Sequence, residues 1–403
     1  MPTILATPPL NSTTSREASP DQTTALTPES ATFNRTSSVT THSIQLYKRY
    51  LPPEVQTFEG RRERLAQYHA VLSELQSGAR QVDPIKGAHQ RGSEVTLESL
   101  SPNIPVLVVG DLHGEIDNFR RILLDRDNLS RIAHGELVLV LQGDLIHPEH
   151  GDLYDMNSSL QLLELFMNLK IAFPHHVVSL VGNHDPIQEW AHKRYRTEDH
   201  QIAAVNQADE FRQHLAAVLE SEGADPRVDV PLYLTRMAAC TEKSPLYCVG
   251  KGFAVVHAGP MMGCTRDEMR NASPIDNGDT FLVARGALGG SSLDDIDPER
   301  ARAYRIYMQA TWSRFETRSK SSPSYTWGDV KAFMDLLGQP HGALLVGHEP
   351  PKDANAFMHQ IQPPPGCDYG GVGTTHYALT ASRKDALGYA VMLYSVLSFQ
   401  SLS

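Results

Sequence analysis

Residues 106–115 read VLVVGDLHGE. A Val-rich apolar run stops at Gly110, and Asp111 and His113 follow two apart before a second glycine. Alone, the stretch is compatible with a helix cap, a solvated turn or half of a metal site. Four later runs end in the same manner: ELVLVLQGD (136–144), HVVSLVGNHD (176–185), GFAVVHAGP (252–260) and GALLVGHEP (342–350). Near-continuous Val/Leu runs predict strands buried on both faces. Helical patterns are predicted between them over Ile116–Leu124, Ser158–Phe173 and Asp199–Glu222, and the alternation implies βαβ units of an α/β fold. The region from about 225 to 250 and the end after 376 read as more irregular.

In an α/β sheet the carboxyl ends of the strands open into a common crevice. Asp111, His113, Asp144, Asn183, His184, His257 and His348 all lie at such ends and are expected to converge. One glycine–aspartate pair after a strand is usually a turn, but five such words in order are hard to explain as turns. The donors are carboxylate, imidazole and amide, with no thiolate, which suits Mn, Fe or Zn. They lack the short spacing of a closed structural zinc cluster. Such a set can hold two ions with a shared aspartate. Paired ions acidify a water and neutralise phosphoryl oxygens, the need of phosphoester hydrolysis.

As an ordered set, GDLHG, GDLI, GNHD, VHAG and GHEP resemble the calcineurin-like metallophosphoesterases, and within them the phosphoprotein phosphatase group, over about residues 104–350. The resemblance implies an α/β (α+β) fold with a central β-sandwich of mixed sheets flanked by helices, rather than a plain doubly wound sheet. It implies a dimetal site at the strand C-terminal ends. Asp111 and His113 would bind the first ion, Asp144 would bridge, and Asn183, His257 and His348 would complete the second. A metal-bridging hydroxide would attack in line, and His184 would protonate the leaving oxygen, a task suited to a group that titrates near neutral pH. Many diesterases of the superfamily end in G-H-x-H. Here Pro350 replaces the second histidine, which favours phosphomonoesters.

The second word departs from the phosphatase pattern, which resembles G-D-x-V-D-R-G. Here it reads GDLIHPEHGDLYD (143–155), so the orienting aspartate falls on His147 and the phosphate-binding arginine on Pro148. His147 is thereby a candidate substrate contact, and Glu149, Asp152 or Asp155 a candidate to orient His184. A monoester dianion needs a cation besides the ions, preferably arginine. Arg314, in ATWSRFE, carries a W-x-R pattern similar to bacterial-type, Shewanella-like phosphatases and is the first candidate. Arg285, in LVARGALGG, is the second, with Arg194 and Arg196 as lesser ones. The expected activity is therefore that of a phosphoprotein phosphatase, on Ser/Thr or Tyr, with two divalent ions, Mn first and Fe or Zn next. A nucleotide or dinucleoside polyphosphate hydrolase is the alternative, and a non-catalytic metal-binding scaffold the third option. The stretch PPPGCDYGGVGTTHY (363–377) could line the pocket of either enzyme; it lacks the G-K-[ST] of a P-loop.

Composition narrows the partners. Of 403 residues, 40% are hydrophobic and 21% charged, enough for a large core. The formal net charge of −11 and the absence of a Lys/Arg-rich block argue against nucleic acid. Four cysteines (Cys240, Cys248, Cys264, Cys367) form no C-x-x-C pair, and a reducing cytoplasm is expected. The longest apolar run, ALGYAVMLYSVLSF (386–399), is too short to span a bilayer and reads as core β-structure, so no membrane partner is expected. The sequence carries no signal for an oligomeric state. Three regions are expected: a disordered Ser/Thr/Pro-rich tail over 1–43, a helical extension over 44–100 with Leu65, Tyr68, Leu72 and Leu75 on one face, and a catalytic domain over 101–403.

Overall fold

The apolar runs fold into two mixed sheets laid face to face. The computed structural model describes residues 41–53, 56–149, 152–185, 192–196, 202–272, 298–316, 323–349, 356–361, 374–382, 387–393 and 396–402. All of them belong to one unit, Ser38–Ser403. The tail expected over 1–43 lies outside the described residues up to residue 40, and Thr41 already begins a helix.

The first sheet is built on β3 (Val106–Val109), β4 (Val138–Leu141) and β5 (Val177–Ser179), all parallel. Strands β15 (Leu387–Leu393) and β16 (Val396–Leu402) extend it antiparallel beyond β3, as the β-reading of the C-terminal run requires. The second sheet has the order β1 (His89–Arg91), β2 (Glu94–Leu97), β8 (Tyr247–Gly250), β9 (Phe253–Val256), β12 (Ala343–Val346), β14 (Thr375–Leu379), β13 (Met358–Gln360). Within it β9, β12 and β14 run parallel, while β8 pairs antiparallel with β9.

Side chains alternate across a strand, so each run feeds two layers. Val106, Val108, Val138, Val140 and Val178 of the first sheet meet Val95, Cys248, Phe253, Val255 and Leu345 of the second in the sandwich core. The intervening Leu107, Val109, Leu139 and Leu141 face α1 (Thr41–Tyr50), α2 (Phe58–Gln76), α3 (Ile116–Leu124), α4 (Asn128–Ala133), α5 (Met156–Ala172), α6 (Gln207–Ser221) and α7 (Asp229–Lys243). On the far side, Ala254, Val256, Leu344 and Val346 face α8 (Arg266–Asn271), α9 (Pro298–Trp312) and α10 (Trp327–Leu336). With each such side chain contributing about 1.5–3 kcal/mol on burial, both faces of both sheets must be covered, which gives the helix–sheet–sheet–helix order.

Three expectations are corrected. The 44–100 stretch is helical only as far as Gln76, and its β1 and β2 join the second sheet. It is not a separate preface: Tyr47, Leu65, Tyr68 and Leu72 sit in the helical core, and Arg61 pairs with buried Glu164 and with Glu222. The helix predicted from Asp199 begins only at Gln207, because β6 (His192–Arg196) and β7 (Ile202–Asn206) form an antiparallel hairpin before it. The regions read as irregular are regular: 225 to 250 holds α7 and β8, and the end after 376 holds β15 and β16. Gln207 and Asp229 are the first helical residues, and the side chain of Asn206 caps α6 by accepting from the Asp209 amide. A final short pair, β10 (Arg314–Phe315) with β11 (Ser324–Tyr325), brings Arg314 to the rim of the sandwich. Among the described residues no helix is long and apolar enough to cross a membrane.

Candidate active site

Five strands deliver the five words to one end of the sandwich. Strands β3, β4 and β5 of the first sheet end before Asp111, Asp144 and Asn183, and β9 and β12 of the second end before His257 and His348. The sheets are tied here: Asp111 forms an isolated bridge with Thr380 beyond β14, and the Ala381 amide donates to Asp111 O at 2.9 Å.

Backbone hydrogen bonds lock the words together. The amides of Leu112 and His113 donate to Asp144 O at 3.2 and 2.8 Å. The His184 amide donates to Asp144 Oδ1 at 2.8 Å, and the His348 amide to Asp111 Oδ2 at 2.6 Å. Asp185 accepts from the amides of Asp144, Leu145 and Gly182 at 2.9, 2.8 and 2.8 Å, clamping the β4 loop to the β5 loop. The glycines serve close approach: a Cβ on Gly182 would run into the Asp144 carboxylate, and one on Gly347 into that of Asp111. His113, Asp144, His147 and His348 hold positive φ between 46° and 69°, a region that non-glycine residues enter at a cost and keep where surroundings force it.

The imidazoles are aimed by carbonyls. His113 Nδ1 is 3.0 Å from His147 O, and His257 Nδ1 is 3.0 Å from Gln142 O. A carbonyl can only accept, so the proton sits on Nδ1 and the Nε2 lone pair of each ring faces the cluster. There, lone pairs meet lone pairs. His257 Nε2 is 2.9 Å from Asn183 Oδ1 and 3.4 Å from Asp144 Oδ2; His113 Nε2 is 3.6 Å from Asp144 Oδ2. Asp111 Oδ1 and His348 Nε2 are buried and make no hydrogen bond. Acceptors crowded in this way are unfavourable by themselves. Ligands about 2.1 Å from one ion stand roughly 3–4 Å apart, and these spacings match. Two sets of donor atoms lie within 4.8 Å of each other: His113, Asp144 and His184, and Asp144, His257 and His348. Asp144 belongs to both, so the residues present fit two divalent cations with this carboxylate between them.

The titration pattern has the same origin. Burial pushes Asp144 up to about 7 against the pull of His257 and His113. Burial also opposes charge on His257, but Asp144 and Asp111 outweigh it and raise the imidazole to about 9, so without an ion this ring takes a second proton on Nε2, the place where an ion would relieve the crowding. His348 is driven well below its ordinary value by burial, with Arg314 and His257 adding to the effect.

His184 stands beside this cluster, half-exposed, with its ring 5.1 Å from that of His113. Its Nδ1 is 3.1 Å from His147 Nδ1. His147 is buried against Phe211 and pushed down to about 3, by burial first and His113 second, so it is neutral. Its Nε2 is buried without a hydrogen-bond partner, so the contact of its Nδ1 with His184 Nδ1 is what ties its ring to its neighbour. His147, expected as a substrate contact, is instead buried beside the ring of His184. Of the acids expected to orient His184, Asp155 caps α5 and Asp152 accepts from the Tyr154 amide. Glu149 reaches instead to 3.8 Å from His113 Nε2.

Arg314 lies on the other side. Its guanidinium donates to His348 O and stands 3.7 Å from Glu349, while Trp312 stacks edge-on to His348 at 6.1 Å. With a third of its side chain exposed, it borders the second ion position. Arg285 and most of the glycine-rich stretch fall outside the described residues, as do the side chains of Arg194 and Arg196, which lie on β6 rather than on a helix. Sequence reasoning missed Gln142 and the His147 carbonyl, which act through backbone oxygens, and Asp185, although its carboxylate closes GNHD.

The family model described as calcineurin-like phosphoesterase matches residues 104–236. A cold-active protein-tyrosine phosphatase of a psychrophilic Shewanella species is similar at 13% identity over 80% of this chain and 85% of its own, with TM-score 0.41. A metallophosphoesterase from Sphaerobacter thermophilus is similar at 12% identity over 74% of this chain and 88% of its own, with TM-score 0.33. No curated protein matches the chain.

Proposed function

We propose that this chain, a calcineurin-like phosphoesterase by its residues 104–236, is a dimetal phosphomonoesterase whose substrates are phosphorylated proteins. The observation that carries the proposal is the shared carboxylate: Asp144 Oδ2 lies 3.6 Å from His113 Nε2 on one side and 3.4 Å from His257 Nε2 on the other.

Two divalent ions, manganese foremost, would supply charge neutralisation for the phosphoryl oxygens and a water acidified toward neutral pH. Asp111, His113 and Asp144 would hold one, and Asp144, Asn183, His257 and His348 the other. The protein's own part is positional. The ring of His147 lies against that of His184, and His184 offers a proton to the departing alkoxide or phenoxide. Arg314, held by His348 O at the rim, offers an exposed cation to a phosphoryl oxygen left uncovered by the ions. A monoester dianion uses that cation better than a diester does, which favours monoesters.

The test is a substrate panel with Mn²⁺: p-nitrophenyl phosphate, bis-p-nitrophenyl phosphate, ATP, a dinucleoside polyphosphate, and phosphoserine and phosphotyrosine peptides. Turnover of the monoester and the peptides, lost in Asp144→Asn, supports the proposal. A preference for the diester or for the nucleotides would replace it, and no turnover with two ions bound would leave a scaffold.

A further inference from the structure

We infer that Glu349 is a positioning residue that holds Arg314 ready for the phosphoryl group, an inference that rests on the phosphomonoesterase reading above. One tight turn at the end of β12 carries both His348 and Glu349: His348 holds a φ of 52°, and the Glu349 amide folds back to donate to Gly347 O. Arg314 sits on β10, a two-residue strand paired with the equally short β11. So brief a pairing holds the chain weakly, and the β12 turn adds anchors at three points. Trp312 packs edge-on to the ring of His348. The Arg314 guanidinium donates from Nη1 to His348 O, and the Phe315 amide donates to Glu349 Oε1 at 2.9 Å. The other carboxylate oxygen of Glu349 stands 3.7 Å from the same Arg314 Nη1. Glu349 thus grips Arg314 from both ends, the backbone through the next amide and the guanidinium through its charge.

Both side-chain contacts of Arg314 fall on Nη1. Among the described residues its Nε and Nη2 make no hydrogen bond. That edge is a fork able to give two parallel hydrogen bonds to two oxygens of one phosphoryl group. A guanidinium already pinned by one nitrogen gives up less freedom when the fork takes hold, which strengthens the contact. A carboxylate beside the cation also repels phosphate, but that repulsion acts from farther away and is screened by salt, whereas the grip acts at contact distance. The two effects have opposite sign, so affinity for inorganic phosphate tells them apart.

The experiment titrates the Mn²⁺-loaded full chain calorimetrically with inorganic phosphate, with bound manganese counted beforehand in every variant. Glu349→Gln, which can still accept from the Phe315 amide but carries no charge for Arg314, is expected to bind phosphate about twofold to fivefold more weakly than the wild type. Glu349→Ala, which loses both holds, is expected to fall about tenfold or more. In an Arg314→Ala background, Glu349→Gln is expected to cause no further weakening, because it acts through the guanidinium. Tighter or unchanged phosphate binding in either single variant, at full manganese content, would overturn the assignment of Glu349 alone. Equal weakening in the Arg314→Ala background, or loss of bound manganese, would make Glu349 a support of the β12 turn and overturn the assignment as well. A wild type that takes up no manganese, or takes it up and binds no phosphate, would overturn the reading above and this assignment with it.

Discussion

The amide of His348 donates to Asp111 Oδ2 at 2.6 Å, so the last word of the chain is fastened to the first. Two strands from different sheets, β3 and β12, meet through that bond. Gly347 permits it, because a Cβ there would strike the Asp111 carboxylate. Gly347→Ala is expected to push the two apart, costing about 1–3 kcal/mol of stability and lowering Mn²⁺ affinity by more than the loss of fold alone predicts. Thermal melts of the metal-free chain and a parallel Mn²⁺ titration check this. Wild-type affinity in a stable variant would show that the contact does not set the site.

Asp185 performs a similar service on the other side, accepting three amides from the loops that carry Asp144 and Asn183. Asp185→Asn turns one of its acceptors into a donor that faces an N–H. The expected loss is about 1–3 kcal/mol in urea unfolding, accompanied by weaker metal binding. A variant as stable as the wild type would mean that these hydrogen bonds are replaceable by water.

His184 should matter in proportion to how badly the leaving group needs a proton. His184→Asn is expected to slow an alkyl phosphate about a hundredfold or more and p-nitrophenyl phosphate much less, because p-nitrophenoxide departs unaided. His147→Phe, which keeps the packing on Phe211 but cannot hold the imidazole, should reproduce part of that split without loss of bound metal. Equal losses on both substrates, together with a lost ion, would make His184 a ligand instead.

Lys170 gives a pH signature remote from the site. It is buried at the end of α5 and donates to Pro174 O and Val177 O at 2.8 and 2.7 Å, yet burial pulls it down to about 7. From about pH 7 up to the ordinary lysine range, the unfolded chain keeps a proton that the folded chain has released, so stability from this group rises with pH. Below about 7 both states hold the proton and the penalty is full and constant. The slope approaches about 1.4 kcal/mol per pH unit. Urea unfolding of wild type and Lys170→Met across that window should diverge by this slope; parallel curves would show that the two carbonyls hold the ammonium form.

The site words were legible because each combines an apolar run, a glycine and a metal-competent side chain, a pattern that survives without knowing which sheet the strand joins. The sandwich itself was not readable from the runs. Val106 and Leu107 look alike in sequence, yet one faces the second sheet and the other the helices, because both faces of every central strand are covered. The β6–β7 hairpin was hidden for a different reason: HKRYR and IAAVN carry no alternation that sets them apart from the helix that follows. The aiming of His113 and His257 rests on backbone carbonyls, which any residue supplies, so only the chain path reveals it. His147 showed as a departure from the family pattern, but its burial and its hold on His184 required the loop's conformation.

The central claim is that Asp144 lies between two ions. Crystals of the chain grown with Mn²⁺ and measured at the manganese absorption edge test it directly. Two anomalous peaks about 3.5–4 Å apart, one on each side of the Asp144 carboxylate, are the expected result. A single peak, or two that leave Asp144 uncoordinated, would contradict the account.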